Sequence, residues 1–244
     1  MCIEHNNLKL TNDTSLIVKF KRCIEAYAYK LLLRFYLTGA SVTKLPGVGS
    51  ILKKWLIWYA NTQHAGKIIS KEEAYKWIEN TGNVVVSICY CRDTFKRCSM
   101  PVHSCIRISD ISIFQSAHKN DTKVISISQA KEIINYAEAN GLFHLIAWCD
   151  YPNVYSICNC CLCCCIAYQI WHGYGIVSAL QKGNMIAHKE DNSCDSCGRC
   201  ITQCRFNALT KSNNEVILNQ DYCMGCGLCR NACNNNALRL VSRE

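Results

Sequence analysis

Twenty-one of the 244 residues are cysteine, and nineteen of them fall in four runs: 89–105, 149–165, 194–204 and 223–233. The last two runs are the most regular. Cys194, Cys197, Cys200 and Cys204 read C-x2-C-x2-C-x3-C, and Cys223, Cys226, Cys229 and Cys233 repeat that spacing. Three thiolates so spaced let a tight turn wrap three corners of an iron–sulfur cubane, while the fourth, at the start of a short helix, reaches the other cluster. The expected sets are therefore crossed. Cys194, Cys197, Cys200 and Cys233 would hold one [4Fe–4S] cluster, and Cys223, Cys226, Cys229 and Cys204 the second. Ordinary zinc motifs do not pair this spacing. Gly198, Gly225 and Gly227 sit where backbone must come close to inorganic sulfur.

The two earlier runs are less regular. Cys89, Cys91, Cys98 and Cys105 read C-x-C-x6-C-x6-C. Cys149 is followed by Cys158, Cys160, Cys161, Cys163, Cys164 and Cys165, six thiols in eight positions. Adjacent side chains diverge, so these cannot all reach one cubane. Some would face a metal core and others would fill space as small apolar groups. One large iron–sulfur assembly, two cubanes, or one cubane with a labile site all fit, and a zinc-stabilised middle segment is the weaker rival.

These thiols need elements to carry them. "KIISKEEAYKWIE" (67–79) aligns without gaps on "KVISISQAKEIIN" (123–135). Ser70 with Glu73 and Ser126 with Gln129 give each a capping-box signature. Ala74 with Ile78, and Ala130 with Ile134, then share a helical face. Apolar runs follow, "NVVVSICYC" (83–91) and "GLFHLIAWC" (141–149), so each unit reads helix–strand and ends on cysteines. This predicts an α+β chain in three parts. A helical N-terminal region (1–66) precedes a cysteine-rich middle domain with an internal repeat (67–183). A C-terminal domain (184–244) follows, in which "NMIA", "EVIL" and the pair "CRFNAL"/"CNNNAL" mark a doubled strand–loop–helix unit.

Residues 184–244 resemble the two-cluster bacterial-type ferredoxin domain, a ferredoxin-like (βαβ)2 fold. They depart from it by placing Arg205 and Asn234, rather than proline, after the fourth cysteines. The cationic Arg205 would favour a reduced cluster. Across about 67–244, the motifs C-x-C-R, "CSMPVHSC", "GLFH" and C-N-C-C-x-C-C-C are similar to a family of anaerobe proteins described only as iron–sulfur-binding. That resemblance implies an iron–sulfur redox role and no particular substrate.

The formal charge of +9 is partly counter-charge for anionic clusters, which makes a nucleic-acid partner a weak expectation. Residues 20–66 read as helices with interleaved basic and aromatic residues. The plain expectation is aromatics packed on the core; the sharper one is a docking surface for a redox partner or an anionic membrane face. Residues 158–180 lack formal charge over a length that could span a bilayer, but thiols, Gln169, His172 and glycines argue for a buried segment instead. The N-terminus has no secretory pattern and the cysteine count is odd, so a cytoplasmic, metal-binding reading is expected over a disulfide scaffold. His103 and His144 lie nearest the cysteine motifs and are the histidines best placed to join them, although an ordinary core or surface histidine is the plainer expectation for each. Arg92 is expected to neutralise a cluster. No nucleophile–base pair, paired acids or nucleotide loop is present.

Overall fold

The computed structural model describes residues 9–10, 16–62, 64–82, 84–108, 121–149 and 153–243. All of Cys2 and the side chains of Cys23 and Cys149 lie outside the described set. Two helices, α1 (Leu16–Val42) and α2 (Val48–Thr62), follow a short strand β1 (Lys9–Leu10). The central part runs β2 (His64–Ile69), α3 (Lys71–Glu79), β3 (Val84–Ile88), α4 (Tyr90–Phe95) and β4 (His103–Arg107). It continues β5 (Thr122–Ile125), α5 (Ile127–Ala139), β6 (Phe143–Cys149), β7 (Asn153–Cys160), α6 (Ile166–Tyr174) and β8 (Leu180–Gln181).

The sheet order is β5-β3-β4-β7-β6-β2-β8, with β1 beside β7. The six strands from β5 to β2 pair antiparallel throughout. Exchanging β2–α3–β3–β4 for β5–α5–β6–β7 turns that six-strand order into its own reverse. The midpoint, or seam, of that order lies between β4 and β7, where Ile106 faces Ile157 and Arg107 faces Ser156.

Both matched helices begin on full capping boxes, Ser70 with Glu73 and Ser126 with Gln129. Ala74, Ile78, Ala130 and Ile134 pack with Ile106, Ile146 and Ile157, so α3 and α5 cover one face of the sheet. Each cap satisfies an otherwise orphaned N–H of the first turn. Ser70→Ala and Ser126→Ala are each expected to cost about 1 kcal/mol, read as a shift in the urea midpoint under anaerobic conditions.

Strand alternation sends Phe143, Leu145, Cys158 and Cys160 to the opposite face. That face is covered by α6 through Tyr168 and Trp171, and by Phe206, Met224 and Leu228 of the C-terminal part. The helices α1 and α2 close over the same side through Ala40, Leu56 and Ile57, which meet Ile170, Ile176 and Ala179. Residues 158–180 are a strand end, a tight turn, the nine-residue α6 and a 3-10 turn. No helix among the described residues is long and apolar enough to cross a membrane.

The aromatic residues of the N-terminal helices depart from expectation. Trp55 and Trp58 are 53% and 56% exposed, and Tyr27, Leu31 and Phe35 are more so. Leu33, Ala40 and Ala60 are buried on these helices' inner side, beside Tyr36, Leu56 and Tyr59, while the tryptophans turn outward.

The C-terminal part is two short strand–helix–strand units: β9 (Met185–Lys189), α7 (Arg199–Gln203) and β10 (Leu209–Ser212), then β11 (Glu215–Leu218), α8 (Leu228–Asn231) and β12 (Leu238–Ser242). β9 pairs with β12, the first strand with the last, while β10 pairs with β11. Closing the chain on itself brings the two cysteine loops together.

Candidate metal centres

The C-terminal part contains two small cavities. One is lined by Cys204, Cys223, Cys226 and Cys229, the other by Cys194, Cys197, Cys200 and Cys233. Each therefore collects three thiols from one motif and the fourth from the other. N–H groups already point at sulfur: Ala208 N donates to Cys204 Sγ at 3.2 Å and Ala237 N to Cys233 Sγ at 3.2 Å. Ala187 N donates to Cys223 Sγ at 3.4 Å. Such donors favour thiolate. The donor set and the enclosed spaces fit a four-iron cluster in each. The cavities differ in their access to water. Burial pushes the Cys226 thiol up to about 12 and raises that of Cys229 as well, whereas Cys197 is exposed.

On the sheet face, six thiols form a ring. Cys89, the residue after β3, lies beside Cys105 on β4 and Cys91 on α4. Cys105 touches Cys158 across the β4–β7 seam. Cys158 touches Cys160 two residues on, and Cys160 touches Cys165 at the head of α6. Cys165 lies close to Cys91, closing the circuit. Hydrogen bonds from Cys105 and a second thiol hold Cys89 and Cys158 well below the ordinary thiol range, while accepting neighbours push Cys91, Cys105 and Cys160 up. Two buried arginines flank the ring. Arg92 donates to Pro101 O at 2.6 Å, to Ser104 Oγ at 2.7 Å and to the Asn159 carbonyl, with Cys89, Cys160 and Cys161 close by. Arg107 donates to Ser87 Oγ at 3.0 Å and lies near Cys158.

Beside the ring and beneath the N-terminal helices lies an apolar cavity of about 100 Å³, against about 20 Å³ for each C-terminal cavity. Cys91, Cys158, Cys160 and Cys165 line its floor, and Tyr36, Leu56, Tyr59 and Ile170 its roof. The hydroxyls of Tyr36 and Tyr59 are 3.0 Å apart. The remaining thiols of the middle runs stand elsewhere. Cys98, Cys161, Cys163 and Cys164 form a separate quartet, all four Sγ atoms within 4.8 Å of one another. The dense stretch 158–165 is thus sorted by residue: 158, 160 and 165 join the ring, while 161, 163 and 164 join the quartet. The Cys149 side chain lies outside the described residues.

Arg107, Ser104, Tyr36 and Tyr59 are site residues that sequence reasoning did not single out. Only Arg107 carried a signal, two residues after Cys105 on a strand and hence on the same face. His103 is exposed at the start of β4. His144 is fully buried, on the helix-covered side of β6. Asn159 Nδ2 donates to Ser104 O at 2.6 Å, so its Oδ1 accepts from His144 Nδ1, also at 2.6 Å. Nε2 of that ring is buried without a hydrogen-bond partner, and burial pulls the imidazole's pKa down against the hydrogen bond that its Nδ1 donates to Asn159. Folded His144 is therefore neutral, while an unfolded one takes a proton below about pH 6.5. The unfolded chain then binds more protons, so stability falls as pH drops through that value. Denaturation midpoints at pH 7.5 and 5.5 are expected to differ less in His144→Gln than in the parent.

Residues 193–238 match the family of 4Fe-4S dicluster domains. With that domain and its gathered cysteines, the chain is an iron–sulfur protein carrying at least one iron–sulfur cluster. No curated protein matches it.

The dicluster domain is docked on the sheet through charged contacts. Arg205 Nε donates to Gly141 O at 3.0 Å, Arg230 pairs with Glu72 at 2.6 Å, and Asn184 Nδ2 donates to Glu73 Oε1 at 3.1 Å. Arg205, in the place where ferredoxins carry proline, thus serves the join. Arg205→Ala is expected to cost about 1–2 kcal/mol and to speed proteolysis between the two parts, with iron content unchanged.

Proposed function

We propose that this chain is an iron–sulfur redox protein in which low-potential electrons pass through two [4Fe–4S] clusters to an additional iron–sulfur centre in the middle domain. Cys194, Cys197, Cys200 and Cys233 would hold the outer cluster, and Cys223, Cys226, Cys229 and Cys204 the inner one. The six-thiol ring would hold the additional centre. Iron–sulfur clusters supply one-electron steps at potentials set by charge, hydrogen bonding and burial.

The observation that carries this reading is continuity. Cys226 of the inner quartet and Cys158, Cys160 and Cys165 of the ring pack into a single apolar cluster with Phe206, Met224 and Leu228. The outer quartet, with exposed Cys197, faces a donor. Arg92 and Arg107 would offset the negative charge of a thiolate-bound centre. The apolar cavity beside the ring would admit a small molecule for reduction, screened from water by α1 and α2. The symmetric strand order supports an internally duplicated scaffold, with the ring straddling its seam. A cytoplasmic setting, which keeps thiols reduced, suits it.

A second reading makes the chain a non-enzymatic electron carrier or activation subunit docking on a larger oxidoreductase. The outward stripe on α1 and α2 (Tyr27, Leu31, Phe35, Ile51, Trp55, Trp58) favours it.

Anaerobic purification with iron and sulfide analysis tests the additional centre. More than eight irons per chain, with matching sulfide, is expected. A reduced-state spin-resonance signal should persist when Cys194, Cys197, Cys223 and Cys226 are replaced by serine. Eight irons or fewer, or no surviving signal, would remove the additional centre. Turnover with an artificial reductant, by the chain alone or only with a partner, separates the two readings.

A further inference from the structure

The quartet Cys98, Cys161, Cys163 and Cys164 differs in scale from every other thiol group in the described chain. Its four Sγ atoms are mutually within 4.8 Å, and no other set of three ligand-type residues among the described ones is so closely gathered. Cys98 Sγ and Cys161 Sγ are 3.8 Å apart. A metal bound tetrahedrally by four thiolates at about 2.3 Å spaces the sulfurs by about 3.8 Å. Cubane ligands must stand farther apart, because four irons and four sulfides lie between them. The two C-terminal quartets show that contrast: they surround enclosed cavities and are not gathered to this distance.

We infer that Cys98, Cys161, Cys163 and Cys164 form a mononuclear tetrahedral thiolate site for a single thiophilic ion, zinc or ferrous iron, separate from every cluster. Tetrahedral four-sulfur donor sets suit these ions. A divalent ion on four thiolates leaves a local charge of −2. Arg92 lies against Cys161, and Arg97 donates to the Cys163 carbonyl at 3.2 Å. Two arginines thus oppose two negative charges.

The site has a structural task. It ties the loop after α4, through Cys98, to the turn between β7 and α6. Cys160 and Cys165 of the ring flank that turn directly. One ion would therefore fix the spacing of three ring thiols, including Cys158. Because the same turn serves both groups, cysteines sit at 160, 161, 163, 164 and 165 with only Leu162 between them.

Zinc-edge X-ray absorption and iron-57 Mössbauer spectroscopy of the anaerobically purified chain test the assignment. The expected result is one metal per chain outside the clusters: either zinc with four sulfur neighbours at about 2.3 Å and no metal neighbour, or a high-spin ferrous tetrathiolate doublet distinct from the cluster iron. Which of the two signals is found identifies the ion. Cys98→Ser and Cys163→Ser should lower that metal from one per chain towards none, while the spin-resonance signals of the reduced clusters are retained. Should either variant fail to fold, cobalt substitution of the parent decides, through the thiolate charge-transfer and tetrahedral ligand-field bands of a single site. Absence of any cluster-free, four-sulfur metal overturns the inference. So does loss of cluster iron and sulfide together in a folded quartet variant, since the four thiols would then hold a cluster. Neither result bears on whether the ring carries the additional centre, which rests on inorganic sulfide beyond eight per chain and on the surviving spin-resonance signal, since a mononuclear ion adds no sulfide.

Discussion

Gly225→Ala is expected to empty the proposed inner [4Fe–4S] site and to destabilise the chain by about 2–5 kcal/mol. Gly225 has φ of +83°, a region that costs a residue with a Cβ about 1–2 kcal/mol. The added carbon would also press into the carbonyl oxygen of Met185. That carbonyl cannot retreat freely, because Met185 begins β9 and pairs with Ser242 at the end of β12. Relief must come from the 223–229 loop, and that loop carries three of the four inner thiols. Gly198→Ala is the control. It shares the positive φ at +79°, but its added carbon meets only the Ile201 side chain at 3.7 Å. It should therefore cost about 1–2 kcal/mol and keep its iron. Anaerobic urea titration and iron–sulfide counting on both variants read the difference; equal loss in both would refute the steric argument.

The second large effect is expected at Arg92. Arg92→Ala should cost about 3–5 kcal/mol, because it removes a buried cation from three fixed acceptors and the nearby thiols. The Pro101 and Asn159 carbonyls and the Ser104 hydroxyl would be left without their donor. The loop after α4 would then lose its hold on β7. Metal in the middle domain should fall while the C-terminal domain keeps its clusters, so spin resonance reports a selective loss. Arg92→Lys keeps the charge but not the planar fork, and should recover only part of the stability. A folded Arg92→Ala chain with full metal content would show that the arginine is dispensable.

Much of this site could be read from spacing alone. The C-x2-C-x2-C-x3-C pair divides the C-terminal thiols into two crossed ligand sets, and each C-terminal cavity is lined by four thiols, three from one motif and one from the other. Local hydrogen bonding made the capping boxes at Ser70 and Ser126 equally plain. The division of Cys158 to Cys165 into two groups was not legible, because it depends on where β7 ends. Period two carries Cys158 and Cys160 to one face. Once the strand stops, the turn sends Cys161, Cys163 and Cys164 towards Cys98, sixty-odd residues away in sequence. The tryptophans of α2 misled for a related reason. Aromatic rings suggest burial, yet Leu33, Ala40 and Ala60 take buried positions on these helices, and alanines carry a weaker signal. Arg107 and the tyrosine pair depend on tertiary neighbours that no local pattern announces.

The two N-terminal helices roof a hollow floored with thiols, and that arrangement bears on how the molecule is made. An inorganic core seated on the ring would have to pass Tyr36, Leu56 and Tyr59 once the roof is down. Loading is easiest beforehand, on a sheet still open to a donor, with α1 and α2 settling over it afterwards. Synthesis runs the other way, because those helices leave the ribosome before any ring cysteine exists. The earliest part of the chain would thus be the last to settle, held off until metal delivery is done.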